Sequence, residues 1–193
     1  MTSATDPKTI LLKGQPQYRE GIADAALTPG ELVEQMTTGN FRKHATAAGV
    51  MPSKLFAREE EYVGGGIDVA YAASDTFPYM ACQSGDQVYA LVAASAVAIV
   101  IGDLLESAGD GTLRKVTALI TDSTGGTASA TTIANLADGT TYATDHAALE
   151  NNLATIALAL NSRQAGFSAV ARAIEAVDNS GGGSEARIKV EIV

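Results

Sequence analysis

"GELVEQMTTGNFRK", Gly30 to Lys43, and "GDLLESAGDGTLRK", Gly102 to Lys115, align without a gap at a constant offset of 72. The same residue stands at Gly30 and Gly102, Leu32 and Leu104, Glu34 and Glu106, Gly39 and Gly111, Arg42 and Arg114, and Lys43 and Lys115. Glu31 and Asp103, Val33 and Leu105, and Phe41 and Leu113 are close in kind. An internal repeat identifies the unit from which a fold is built. Each copy reads as a β-prone run, a turn containing Gly and a second short run, which predicts two β-hairpins. In the second copy, Asp110-Gly111 is turn chemistry tolerant of positive φ.

Outward from the hairpins the copies differ in length. "HATAAGVMPSKLFARE" follows Lys43 directly, whereas the comparable "AGFSAVARAIE" begins only at Ala165. Lys43 stands 5 residues before Ala48 and Lys115 stands 50 before Ala165, a surplus of 45 that marks an insertion in the second copy. The expected organisation is an extended N-terminal arm over 1–20, the first part of a β domain over 21–116, an inserted loop and helix module over 117–164, and completion of the β domain over 165–193. The terminal "ARIKVEIV" alternates Ile188, Val190 and Ile192 with charged residues, the period of a strand with one buried face. The stretch from Ser168 to Val177 could form a helix and is read as strand by analogy with the neighbouring hairpins. In the arm, Ile10, Leu11 and Leu12 lie between polar stretches that contain Pro7 and Pro16, so this segment is expected to extend onto a partner.

The insertion begins polar and rich in Gly and Thr, "TDSTGGTASATTIANLADGTTYA". It ends with Leu149, Leu153, Ile156 and Leu160 at spacings of 4, 3 and 4, the stripe of an amphipathic helix capped by Thr144 or Asp145. Two readings stay open: the helix packs on its own domain, or the stripe is a seam between copies of the chain. Leu and Ile in the two heptad positions favour more than two strands, and two heptads alone are marginal.

A chain of 193 residues, 46% hydrophobic, can bury a full core. The net charge of −9 and the absence of any basic run argue against nucleic-acid binding. Cys82 is the single cysteine, which excludes an internal disulfide and a cysteine zinc cluster. The most apolar window, Val88 to Gly102, is too short for a membrane helix and alternates as strands do, and no signal peptide is read at the start.

The pattern "GDLLESAGDGTLRK", then "AVARAIEAV", a turn and "ARIKVEIV", resembles the decoration, or cement, proteins of tailed-bacteriophage heads. The insertion resembles a module of phage head-decoration and head-fibre proteins. The likeness covers Gly102 to Val193 and extends through the repeat to Gly30. It implies a mainly β protein with a β-barrel or tulip-like domain, bound to the outer surface of the capsid and stabilising the head lattice, often as a homotrimer. The implied partners are the major capsid protein and further copies of the chain, with no nucleic acid and no membrane, in a virion assembled in the bacterial cytoplasm.

Ile10, Leu11 and Leu12 of the arm and Glu59, Glu60 and Glu61 of the acidic run are the candidate capsid contacts, although a charge run is first of all a solvated face. Leu149, Leu153, Ile156 and Leu160 are the candidates for self-association. No catalytic, cofactor or metal residue is expected. His44 and His146 lack ligand spacing, Cys82 has no nucleophile signature around it, and the Gly-Gly-Gly runs at 64–66 and 181–183 are loops rather than phosphate cradles. The alternative is a head-fibre or host-surface, glycan-binding module whose loops carry recognition.

Overall fold

The computed structural model describes residues 7–47, 53–60, 64–94, 96–116 and 168–193. Both repeated segments are antiparallel hairpins in the same register. β3 (Val33–Gln35) pairs with β4 (Phe41–Lys43), placing Glu34 opposite Arg42. β8 (Leu104–Ser107) pairs with β9 (Leu113–Lys115), placing Glu106 opposite Arg114. Cross-strand pairs of opposite charge stabilise such a register, and here they bond at 2.7 Å for Glu34–Arg42 and 3.2 Å for Glu106–Arg114. A second repeated pair ties the strand entrance to the last hairpin residue, Glu31 to Lys43 at 2.6 Å and Asp103 to Lys115 at 2.9 Å. Gly39 and Gly111 both hold positive φ in the turns, a conformation that glycine adopts without steric cost.

The second hairpin belongs to a closed barrel of five strands. β7 (Gln87–Val92), β11 (Ala186–Ile192), β10 (Ala171–Ala173), β8 and β9 follow in order, and β9 returns to β7 through a parallel pairing of Leu113 with Val92. The segment read as strand between Ser168 and Val177 therefore contains β10, and the C-terminal strand lies between β7 and β10.

The first hairpin sits in a looser ring with the same circuit. β2 (Gln17–Ile22) pairs with β6 (Thr76–Ala81), and β6 with β5 (Leu55–Ala57). Single bridges between Leu32 and Phe56 and between Ala23 and Phe41 join this sheet to the hairpin. Each link has its counterpart: the parallel bridge of Ala23 to Phe41 answers Val92 to Leu113, and the bridge of Leu27 to Tyr71 answers Ile99 to Val177. Gly30 N–H donates to Ala57 O at 2.8 Å just as Gly102 N–H donates to Ala173 O at 2.8 Å. The duplication thus extends well beyond the hairpins, and the described residues form two tandem barrels, a looser one from β2 to β6 and a closed one from β7 to β11.

The barrels fill their interiors at equivalent positions with different residues. Ala23, Leu27, Val33, Phe41, Ala57, Phe77 and Tyr79 form the first core. Their counterparts Val92, Ile99, Leu105, Leu113, Ala173, Ile188 and Val190 lie in the second. Phe41 meets Phe77 edge-on at 5.9 Å and Tyr79 at 4.6 Å. A Cβ at Gly21 would come within 2.6 Å of the Phe41 ring; Ala90 takes the matching place opposite the smaller Leu113.

From hairpin to following strand, the offset between copies rises from 72 (Lys43 to Lys115) to 116 (Ala57 to Ala173), a surplus of 44 residues. β9 and β10, which stand on either side of residues 117–167 in the sequence, flank β8: Leu105 pairs with Lys115 on one side and Ala171 on the other.

Of the segment expected as an arm, residues 7–20 are described, and they pair within the chain. β1 (Leu11–Lys13) pairs with β7, β2 is a barrel strand, and Ile10 is fully buried. Three consecutive aliphatic residues satisfy an open strand edge of the second barrel within the same chain. The end of the apolar window also departs from strand: residues 96–102 form a loop that touches the barrel at Ile99.

The two Glu–Arg pairs differ in burial and so in expected energetics. Glu106 is 1% exposed and Arg114 32%, against 21% and 48% for Glu34 and Arg42. Arg114→Ala removes an ion-pair partner of a buried carboxylate and is expected to cost about 2–3 kcal/mol, whereas Arg42→Ala should cost less than about 1 kcal/mol. Urea unfolding of both variants checks this. Phe77→Ala empties the centre of the aromatic core and is expected to cost about 3–5 kcal/mol in the same assay.

Candidate functional site

The most elaborate arrangement of side chains is the joint between the barrels. The turn Thr28-Pro29-Gly30 of the first barrel lies against β7 and β11 of the second. Gly30 O accepts from Leu91 N–H at 3.2 Å, and Pro29 O accepts from Arg187 Nη1 at 3.0 Å. A side chain at Gly30 would meet Arg187 Nη1 at 2.7 Å and Tyr89 O at 2.9 Å, so only glycine fits. Beside the turn, Leu32 N–H donates to Gly111 O at 2.7 Å and Gly111 N–H to His44 O at 3.2 Å. Leu32, Phe56 and Met80 face outward from the first barrel and join the apolar cluster of the second.

Arg187 organises one side of this joint. Besides Pro29 O its guanidinium reaches Ile67 O at 2.5 Å and Asp68 Oδ1 at 3.2 Å, and it lies over the Tyr89 ring at 5.8 Å. The planar fork of arginine suits several acceptors held in fixed directions. An open cleft of about 720 Å³ adjoins it, with Lys8, Asp68, Tyr89 and Glu185 among its walls. Glu31 is fully buried beneath the same joint. Burial pushes its carboxyl up, while its bonds to Lys43 and to Thr28 N–H work in the opposite direction.

Several residues singled out in the sequence are used inside the molecule. Ile10 N–H donates to Glu59 Oε2 at 3.1 Å, and both residues are buried. Ile10 and Glu59 thus meet inside the chain: the carboxylate of an apparently solvated acidic run satisfies the backbone of the N-terminal segment. Leu11 and Leu12 are partly buried against the core. Glu60 is half-buried, its carbonyl accepting from Gly65 N–H at 2.9 Å. Glu61 and the stripe Leu149, Leu153, Ile156 and Leu160 lie outside the described residues.

His44 is buried in the joint, its Nδ1 2.8 Å from Ser107 Oγ and its Nε2 3.6 Å from Glu34 Oε2. It is a packing histidine. Cys82 is buried, and burial together with the nearby Asp86 charge pushes its thiol up to about 12, far from the thiolate that a nucleophile requires. Among the described residues no group of three or more His, Cys, Asp or Glu could hold a metal ion, and no helix is long and apolar enough to cross a membrane. Arg187 escaped the sequence reading because it occupies a polar position in a regular strand alternation; only its partners in three dimensions distinguish it from Lys189 or Glu191.

Burial holds the His44 imidazole below its ordinary value of 6.5, against the opposing pull of Glu34. A depressed folded value means that its contribution to stability is fully present above pH 6.5 and is lost as pH falls through the folded value. Stability from urea unfolding is expected to decline between pH 7.5 and pH 5, and His44→Gln should flatten that slope without abolishing folding.

No family model matches the chain, and no curated protein matches it. Among solved structures it is similar to the head fiber gp8.5 N base of bacteriophage phi29, with 12% identity and a TM-score of 0.42 over 93% of this chain and 95% of that one.

Proposed function

We propose that this chain is a structural protein of a tailed-phage virion, a head-decoration protein that binds the outside of the capsid as a homotrimer and stabilises the lattice. The observation that carries the reading is the closed, hairpin-built barrel interrupted between β9 and β10. It is the architecture that the resemblance of Gly102 to Val193 to cement proteins implies. Two rigid barrels locked by a buried joint form a body that can bridge neighbouring capsid subunits, and several modest contacts on one lattice add up through multivalency. A net charge of −9 keeps such a protein soluble before assembly and away from nucleic acid.

With Ile10 and Glu59 bonded to each other inside the chain, the half-buried Leu11, Leu12 and Glu60 are the described members of the candidate capsid contact. In virions purified from the source phage, mass spectrometry is expected to find the chain at a fixed ratio to the major capsid protein, and deleting its gene should lower the temperature at which heads release DNA. Absence from purified heads, with adherence of the protein to bacterial polysaccharide instead, would overturn the reading in favour of the host-surface module.

A further inference from the structure

Five of the six large apolar side chains exposed among the described residues fall on two faces. Tyr18 (54%) and Ile22 (48%) stand on β2, and Val97 (70%), Val100 (55%) and Ile101 (69%) stand on the segment before β8. The duplication gives each face a meaning. Tyr18, Glu20 and Ile22 correspond to Gln87, Tyr89 and Leu91 of β7, the strand that receives the turn of the first barrel. Val100-Ile101-Gly102 corresponds to Thr28-Pro29-Gly30, the turn that is received.

The free turn has the same shape as the seated one. Gly102 holds φ +95° against +93° at Gly30, and the Asp103 carboxylate accepts from Val100 N–H as the Glu31 carboxylate accepts from Thr28 N–H, both at 2.9 Å. A Cβ at Gly102 meets nothing within 4 Å, where one at Gly30 would strike the second barrel. β2 is correspondingly open: it ends its sheet, whereas β1 covers the matching edge of β7. Exposed strand edges accept further backbone partners.

We infer that a second copy of this chain fills both faces, the Val100-Ile101-Gly102 turn of one molecule seating on β2 of the next by repeating the internal joint. Ile101 takes the place of Pro29, and Gly102 O accepts from Ile22 N–H as Gly30 O accepts from Leu91. Thr76 stands at the place of Arg187, so the arginine clamp is missing between molecules. Arg172 and Glu191, paired at 2.8 Å, replace Phe56 and Met80. The intermolecular joint therefore carries an ion pair where the internal one carries buried apolar side chains, and it is weaker and more reversible than the internal one. It is also heterologous, leaving one donor and one acceptor face per chain, so the copies close into a ring or continue as a filament.

Sedimentation of the full-length chain between about 1 and 100 μM tests this range of modest affinity. The wild type is expected to exceed its monomer mass of 19.7 kDa as concentration rises. Both the donor variant Val100→Asp/Ile101→Asp and the acceptor variant Ile22→Asp should weaken association by about 30-fold or more. The decisive sample is an equimolar mixture of the two variants: each retains the face the other lacks, so the mixture should form a dimer and nothing larger. A monomeric wild type, failure of the mixture to form the dimer, or loss of association in Leu153→Asp with the face variants unaffected would each overturn the inference. Val100→Ser/Ile101→Ser replaces the donor variant if circular dichroism shows the Asp pair misfolded. No capsid is present, so failure here leaves the decoration reading standing, and absence from purified virions leaves this contact standing.

Discussion

The close approach at Gly30 is the constraint on which the rest of the molecule depends. A turn with no side chain lies within contact of the Tyr89 carbonyl and the Arg187 guanidinium, and its own carbonyl completes the edge of β7. That contact brings Leu32, Phe56 and Met80 of the first barrel into the apolar cluster of the second. Each barrel is small, and small cores bury too little surface to be comfortably stable alone. Fusing one barrel's outer face to the other's cluster gives both a larger continuous interior. Ile10, held through Glu59, closes the remaining gap from the N-terminal side.

The duplicated circuit separates topology from packing. The same strand order, bridges and cross-strand ion pairs recur, but the first interior is built on Phe41, Phe77 and Tyr79 and the second on Leu113, Ile188 and Val190. Interiors require matched volumes more than particular residues, so a bulky ring opposite Gly21 and a leucine opposite Ala90 are equivalent solutions. The cross-strand ion pairs are less free to vary, because they fix which residues face each other. A slip of one position would turn every side chain of the hairpin to the opposite face.

Much of this was legible in the residues, and the reasons for the rest are physical. The hairpins, the interruption of the second copy and the strand character of the C-terminus followed from local turn chemistry and period-two alternation. The remaining strands of the duplication had diverged in identity and kept only their pairing partners, which a linear reading does not contain. Ile10 to Leu12 looked like an arm because three apolar residues between prolines form no period of their own; their strand exists only because β7 has an edge to offer. Glu59 looked solvated because charge implies exposure until a buried backbone N–H needs an acceptor. Val97 to Ile101 read as part of a strand, and the loop they form is visible only through its likeness to Thr28-Pro29-Gly30.

The placement of Lys115 and Ala171 on either side of Leu105 has an evolutionary consequence. Chain ends two strand spacings apart, about 10 Å, can be joined by almost any length of polypeptide, since closure entropy rises only logarithmically with the length inserted. The junction therefore behaves as a socket. A different segment joined at that position would leave the ladder of β9, β8 and β10 hydrogen-bonded, so variation at this one address need not disturb the scaffold.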